Sequence, residues 1–304
     1  MRTVKHNEDT WERVMIKQLA SVNEIGSDRF FSMMNEINQC AHTAGLVEYT
    51  TYSRLWEYPW VWCQAEPLKD SGLCVLDLGS ERSAMAWFLA KHGFDVTVSD
   101  RTARYFRIWR RAEARLGVPV RKAILDAQSM DWATGSVDIC TSFSVFEHIP
   151  NKAAALSEMA RVLKPGGLLL MTFDICEPEM GMSFPAWNGR ATTMAETNAL
   201  LEGSCWFEPG FAALPWNVED ISKFLDWHRG TSPHHNYVTC GVSIRRNQRN
   251  WVDRPFSSTR RLVGRLAKTI FARALWGCLP SPGTQLYSLC CRITAIAKHR
   301  KDAT

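Results

Sequence analysis

Three aspartates, Asp77, Asp100 and Asp126, each sit at the end of a short apolar run, and a carboxylate is an acceptor that can hold two donors at once. Gly79, two places after the first, allows a tight turn and a close backbone approach to a ligand. Asp100 follows 21 positions later, about the separation at which a carboxylate meets ribose hydroxyls in nucleotide-binding folds. Singly, each aspartate would serve equally well as a helix N-cap; their recurrence at successive strand ends points to a shared ligand. His148, within Glu147-His148-Ile149-Pro150, is the candidate general base because an imidazole titrates near neutral pH, and the same tetrapeptide also reads as a structural turn. Asp174 and the pair His234 and His235 are alternative proton acceptors. No metal-ligand spacing accompanies these histidines, so no metal is expected.

To put carboxylates at strand ends the chain must alternate strands with helices, and its periodicity does so. Leu73 to Leu78 is a nearly continuous apolar run, as for a strand buried on both faces. A helix over 83–92, a strand from Phe94 to Ser99, a helix over 101–116, and strands from Val118 to Leu125 and Val137 to Phe143 follow. A helix over 152–163 then leads through Lys164-Pro165-Gly166-Gly167 into a fifth strand, Leu168 to Phe173. This order predicts an α/β fold with a doubly wound, mostly parallel sheet, its ligand outside the carboxyl ends of the strands. Upstream, Trp11, Val14, Met15 and Leu19, then Phe30, Phe31, Met34 and Ile37, recur at helical steps and predict a strandless cap. Downstream, a helix near 217–228 and a strand near 237–245 are expected. The expected domains are a helical N-terminal cap (1–68), a core (69–246) and a C-terminal tail (247–304).

With 46% hydrophobic and 22% charged residues in 304, the chain is globular rather than disordered, collagenous or coiled-coil. Ten cysteines without CxxC spacing read as reduced thiols, and the charged opening MRTVKHNEDTWERVM gives a cytoplasmic expectation. The net charge of +5 hides an asymmetry: residues 245–304 hold 13 lysines and arginines against two aspartates, leaving the preceding 244 residues at −6. Within that tail, Leu262, Val263, Leu266, Ile270, Phe271 and Ala274 share a helical face opposite Arg261, Arg265 and Lys268. Two readings stay open for 259–279: peripheral contact with the inner face of a membrane, or packing on the acidic body. Basic residues without a recognised module disfavour nucleic acid.

The stretches VLDLGSERS (75–83), VTVSD (96–100), AILDAQSM (123–130), SVDICTSFSVFEHIP (136–150) and EMARVLKPGGLLLMTFD (158–174) run in one order over about a hundred residues. Together they resemble the class I S-adenosylmethionine-dependent methyltransferases, type 11 group. The resemblance implies a Rossmann-like sheet of order 3-2-1-4-5-7-6, with the last strand antiparallel, and S-adenosyl-L-methionine as cofactor. It implies that the turn with Asp77, Gly79, Ser80 and Glu81 holds the methionine part and that Asp100 bonds both ribose hydroxyls. Asp126 and Ala127 would address the adenine edge, and Ser142 and Phe143 would wall the transferred methyl, close to His148. The family turn reads DxGxGxG; here Glu81 and Ser83 replace its second and third glycines. Glu81 would repel a dinucleotide pyrophosphate, whereas a sulfonium is cationic; it could still crowd the cofactor carboxylate.

Candidate acceptor contacts are Trp56 and Tyr58, from an aromatic stretch before the first strand, Asp174, and Phe184, Trp187 and Arg190 of the loop after the fifth. The expected function is methyl transfer to an oxygen or nitrogen of a small molecule or lipid-linked sugar. The alternative is a non-catalytic binding or scaffold subunit built on the same fold.

Overall fold

The computed structural model describes residues 16–202, 206–208, 218–231 and 234–248. The tail from 249 onward, with the amphipathic segment 259–279, lies outside the described residues, as do Trp11, Val14 and Met15. Seven strands form one sheet: β1 (Ile16–Leu19), β2 (Cys74–Leu78), β3 (Asp95–Asp100), β4 (Arg121–Ile124), β5 (Val137–Phe143), β6 (Leu163–Ile175) and β7 (Val238–Arg245). Their spatial order is β1-β7-β6-β5-β2-β3-β4. β4, β3, β2, β5 and β6 pair in parallel, and β7 runs antiparallel to β6. The central strands β2, β3 and β5 are almost wholly buried, which is why their sequences lack polar alternation.

Helices cover both faces: α1 (Val22–Ile25), α2 (Asp28–Ala44), α3 (Arg54–Ala65), α4 (Met85–Lys91), α5 (Phe106–Leu116), α6 (Lys152–Val162), α7 (Met194–Glu202) and α8 (Val218–Thr231). α4 is buried from Met85 to Ala90, matching its all-round apolar sequence, while α5 buries only Trp109 and Ala112 and turns its arginines outward. None of the described helices is long and apolar enough to cross a membrane.

Two expectations are corrected. The N-terminal region is not strandless: β1 pairs antiparallel with β7, from Ile16 opposite Ser243 to Leu19 opposite Cys240. It fills the outer place that the resemblance assigned to a strand arising between β6 and β7, so the order departs from 3-2-1-4-5-7-6 at that edge. Four residues, IKQL, are too few for a strand period to show, and their polar members are engaged inward. Lys17 is buried against Asn198, and Gln18 accepts the Trp60 indole N–H at 3.0 Å. Strand limits also shift. Leu163 already pairs with Val137, and an irregularity before Ile139 absorbs Lys164 to Gly167, so the fifth strand starts five residues earlier than its apolar run.

Candidate active site

The carboxyl ends of β2, β3 and β5 open on a cleft of about 450 Å³ at the place where the sheet order reverses. It is lined by Gly79, Ser80 and Glu81 after β2, Asp100 and Thr102 at β3, Asp126, Ala127 and Gln128 after β4, and Phe143, Ser144 and His148 at β5. Tyr49, Arg54 and Tyr58 close it from the N-terminal side.

Asp77 lies beneath this floor rather than in it. Its carboxylate is fully buried and accepts from Ser80 Oγ (2.5 Å) and Thr141 Oγ1 (2.7 Å), and burial pushes it up to about 6 despite both bonds. Ser80 is committed as well, since its Oγ accepts from the Ser99 N–H (3.1 Å) while its own N–H donates to the Ser99 carbonyl (2.8 Å). These two side chains fasten the first turn to β3. What the turn offers a ligand is backbone.

At Gly79 the chain takes φ 71°, and a Cβ there would stand 2.5 Å from Val145 Cγ2. Gly79→Ala is expected to cost about 1–2 kcal/mol from the left-handed backbone alone, and more from overlap with Val145. Thermal unfolding of the two proteins checks it. Glu81 keeps the left-handed backbone of a missing glycine, φ 41°, although it carries a side chain. Two contacts hold it there: its carbonyl accepts the Trp109 indole N–H (2.7 Å), and its carboxylate turns to Arg104 at the rim (3.3 Å). The carboxylate is thus paired with an arginine that lines the same cleft. Ser83, in place of the third glycine, accepts from Tyr58 Oη (2.9 Å) and from the Met85 N–H that opens α4 (3.2 Å).

Asp100 is the free carboxylate of the set. Oδ1 accepts from the Thr102 N–H (3.0 Å) and hydroxyl (3.3 Å), whereas Oδ2 has no partner among the described residues. Asp126 is more committed, its Oδ1 accepting from the Gln128 N–H (2.9 Å) and side-chain amide (3.1 Å), which hold it below the ordinary carboxylate value.

The acceptor end contains a network that sequence reasoning missed. Glu57 is wholly buried and accepts from Ser53 Oγ (2.5 Å), Arg54 Nη1 (2.6 Å), Ser144 Oγ (2.9 Å) and Thr172 Oγ1 (2.5 Å). Burial alone would raise this carboxyl, but the Arg54 cation and the three hydroxyls hold it low. Arg54 also donates to Ser144 and lies against the rings of Tyr49 and Tyr58, at 5.9 and 5.8 Å. Its Nε and Nη2 have no acceptor among the described residues and are available to an anion in the cleft. The only signal in the sequence was Arg54 and Glu57 three apart on a helix.

His148 lines the cleft, and its Nδ1 bonds the Asn188 carbonyl. A carbonyl can only accept, so Nδ1 carries the proton and the neutral ring keeps its lone pair on Nε2. Burial holds the imidazole below its ordinary value.

Other expected contacts lie elsewhere. Trp56 is fully buried, stacked on Trp60 at 5.4 Å with its N–H on Glu24 (2.6 Å), because the tryptophans of α3 pack this helix onto the sheet. Ser142 is buried, while its neighbours Phe143 and Ser144 face the cleft. Asp174 is buried behind the cleft, accepting from Thr239 Oγ1 (3.0 Å). Phe184 packs on Tyr237, Trp187 is 78% exposed, and Arg190 pairs with Glu196 at 2.9 Å; none of the three lines the cleft. Among the described residues no three His, Cys, Asp or Glu side chains are grouped to hold a metal ion.

Residues 76–171 match the family model described as "Methyltransferase domain". A ubiquinone biosynthesis O-methyltransferase of Paramagnetospirillum magneticum is 32% identical over 33% of this chain and 39% of its own length. A 2-methyl-6-phytyl-1,4-hydroquinone methyltransferase of Synechocystis sp. is 34% identical over 49% of this chain and 45% of its own. The chain thus spans less than half the length of these curated relatives. In three dimensions the [4+2]-cyclase SpnF superposes with a TM-score of 0.51 at 15% identity, covering 71% of this chain and 93% of that one, a likeness of fold alone. The family match lies on the strands and turns that build the cleft, so residues 76–171 are similar there to a methyltransferase domain.

Proposed function

We propose that this protein transfers a methyl group from S-adenosylmethionine to an oxygen or nitrogen of a small molecule or lipid-linked sugar, a hydroxyl oxygen being the acceptor the site suits best. When bound, the cofactor supplies a methyl group made electrophilic by its sulfonium. The fit rests on the unpartnered Asp100 Oδ2 for the ribose, Asp126 and Ala127 for the adenine edge, and the backbone of Gly79 to Glu81 with the free guanidinium edge of Arg54 for the amino-acid end. Among the residues of the chain, Phe143 and Tyr58 exclude water, and His148 Nε2 takes the acceptor's proton. The observation that carries the oxygen reading is the His148 bond to Asn188, which leaves a proton-accepting nitrogen at the cleft wall. The printed names of the two relatives, with an O-methyl transfer and a hydroquinone, support it. In this reading residues 1–68 cap the cleft, 69–246 form the core, and 247–304 are a basic appendage whose sequence suits peripheral membrane contact.

Calorimetric titration with S-adenosylmethionine, followed by a radiolabelled methyl-donor assay against extracts of the native host, tests the proposal. No donor binding would favour the scaffold alternative. His148→Gln should leave donor affinity unchanged and slow turnover of a hydroxyl acceptor by about 100-fold, a usual contribution of a general base. Because burial lowers the His148 pKa, the neutral base persists through neutral pH, and turnover should fall only as pH drops below the ordinary histidine range. Unchanged turnover in the variant would mean that the proton leaves without a protein base.

A further inference from the structure

Glu147 and His148 share the single 3₁₀ turn Phe146–His148 after β5, and the loop that follows β6 is pinned to it. The Arg190 N–H donates to the Glu147 carbonyl (2.9 Å), and at Gly189, φ 116°, a Cβ would stand 2.6 Å from that same oxygen. The Glu147 side chain is 1% exposed; its Oε1 lies 4.0 Å from His148 Nε2 and its Oε2 has no hydrogen-bond partner among the described residues. From the end of β6 the Asp174 carboxyl comes within hydrogen-bonding reach of it. Arg54 and Glu57 of α3, Lys152 of α6 and Tyr237 before β7 also face this pair, and Glu81 of the turn after β2 faces His148, with Arg54 and Lys152 acting on it as well. None of the cations forms an ion pair with the two carboxyls: Arg54 is matched to Glu57, and Lys152 donates to the Ile149 carbonyl (3.0 Å).

Two carboxyls packed together without a cation cannot both ionise, and a bond between them requires a proton on one. Burial pushes Asp174 up to about 7, helped by the charge of Glu57, and pushes Glu147 higher still, helped by the charge of Asp174. Glu147 Oε2 is buried with no donor among the described residues, whereas Asp174 accepts from Thr239 Oγ1 (3.0 Å), so the proton rests on Glu147. We propose that Asp174, adding to the burial that already disfavours its charge, keeps Glu147 as a neutral carboxylic acid, and that this neutrality keeps the adjoining His148 imidazole uncharged and able to take the acceptor's proton at Nε2. An ionised Glu147 at 4.0 Å would instead favour the imidazolium, which cannot act as a base. In the step served, the acceptor's O–H or N–H bond breaks, its electron pair stays on the atom that receives the methyl group, and the proton ends on Nε2. Asp174 and Glu147 are thus positioning residues acting through His148, an assignment that rests on the methyl-transfer reading above.

The test follows the His148 imidazole by ¹H–¹⁵N NMR in the full chain, assigned with His148→Gln. Asp174→Asn frees Glu147 to ionise and should raise the His148 pKa by about one unit, a tenfold gain in proton affinity. Glu147→Gln alone should leave it at the wild-type value, and Glu147→Gln combined with Asp174→Asn should cancel the rise. An unmoved His148 in Asp174→Asn, or a rise that survives in the double variant, would overturn the proposal. Calorimetry with S-adenosylmethionine on the wild-type sample separates the two readings: failure to bind would remove the methyl-transfer assignment, while the imidazole titration would still decide the carboxyl pair.

Discussion

Glu57→Ala is expected to destabilise the protein by about 3–5 kcal/mol, the usual cost of removing one partner of a buried ion pair. The magnitude follows from what is left behind. The Arg54 guanidinium, mostly withdrawn from water, loses its counter-charge, and the hydroxyls of Ser53, Ser144 and Thr172 lose their common acceptor. Ser144 also sits at φ 46°, so the bond to Glu57 helps to hold a backbone conformation that a serine rarely adopts. Glu57→Gln, which keeps an acceptor oxygen but no charge, should cost clearly less. Urea unfolding of the three proteins provides the comparison, and a loss under about 1 kcal/mol in Glu57→Ala would show that the pair behaves like an exposed one.

Asp100→Ala should weaken S-adenosylmethionine binding by about 100-fold with little change in folding. A hydrogen bond to a charged group contributes about 1.5–3 kcal/mol, and about 1.4 kcal/mol is a factor of ten, so a ribose held through this carboxylate loses at least one decade and about two if both hydroxyls are held. Locally the substitution removes only the acceptor of the Thr102 N–H and hydroxyl. Asp126→Ala should weaken binding less, because the Asp126 carboxylate is already engaged by Gln128. Calorimetry on both variants ranks the two aspartates, and an unchanged affinity in Asp100→Ala would remove that residue from the site.

The cleft's nucleotide side was legible at Asp100 because a parallel strand buried on both faces writes itself as an apolar run, whereas Asp126 follows the exposed edge strand β4 and was placed by the strand–helix alternation around it. Asp77 was legible as a strand tip but not as a buried support, since its role depends on Thr141 of a neighbouring strand 64 residues away. The acceptor side was misread where composition stood in for contact. Tryptophan suggested a binding surface at Trp56, yet a large apolar ring on a helix facing a sheet is buried unless something prevents it. Arg54 and Glu57 carried a helical spacing common to many exposed pairs, and only the arrival of Ser144 and Thr172 from β5 and β6 makes theirs different. β1 escaped because four residues cannot display a period.

That short strand ties the order of synthesis to the completion of the catalytic wall. β1 and α3 are made early, but β1 has no partner until β7 emerges near the end of the described body. Until then the helix bearing Arg54 lacks its packing of Trp60 against Gly241 of β7, and contacts this distant along the chain close slowly. A nascent chain halted before residue 238 would lack the strand on which β1 is laid, leaving the outer face of β6 as a bare edge open to other chains. Completion of the sheet beside the cleft should accordingly come late on the ribosome, with the final strand acting as the latch.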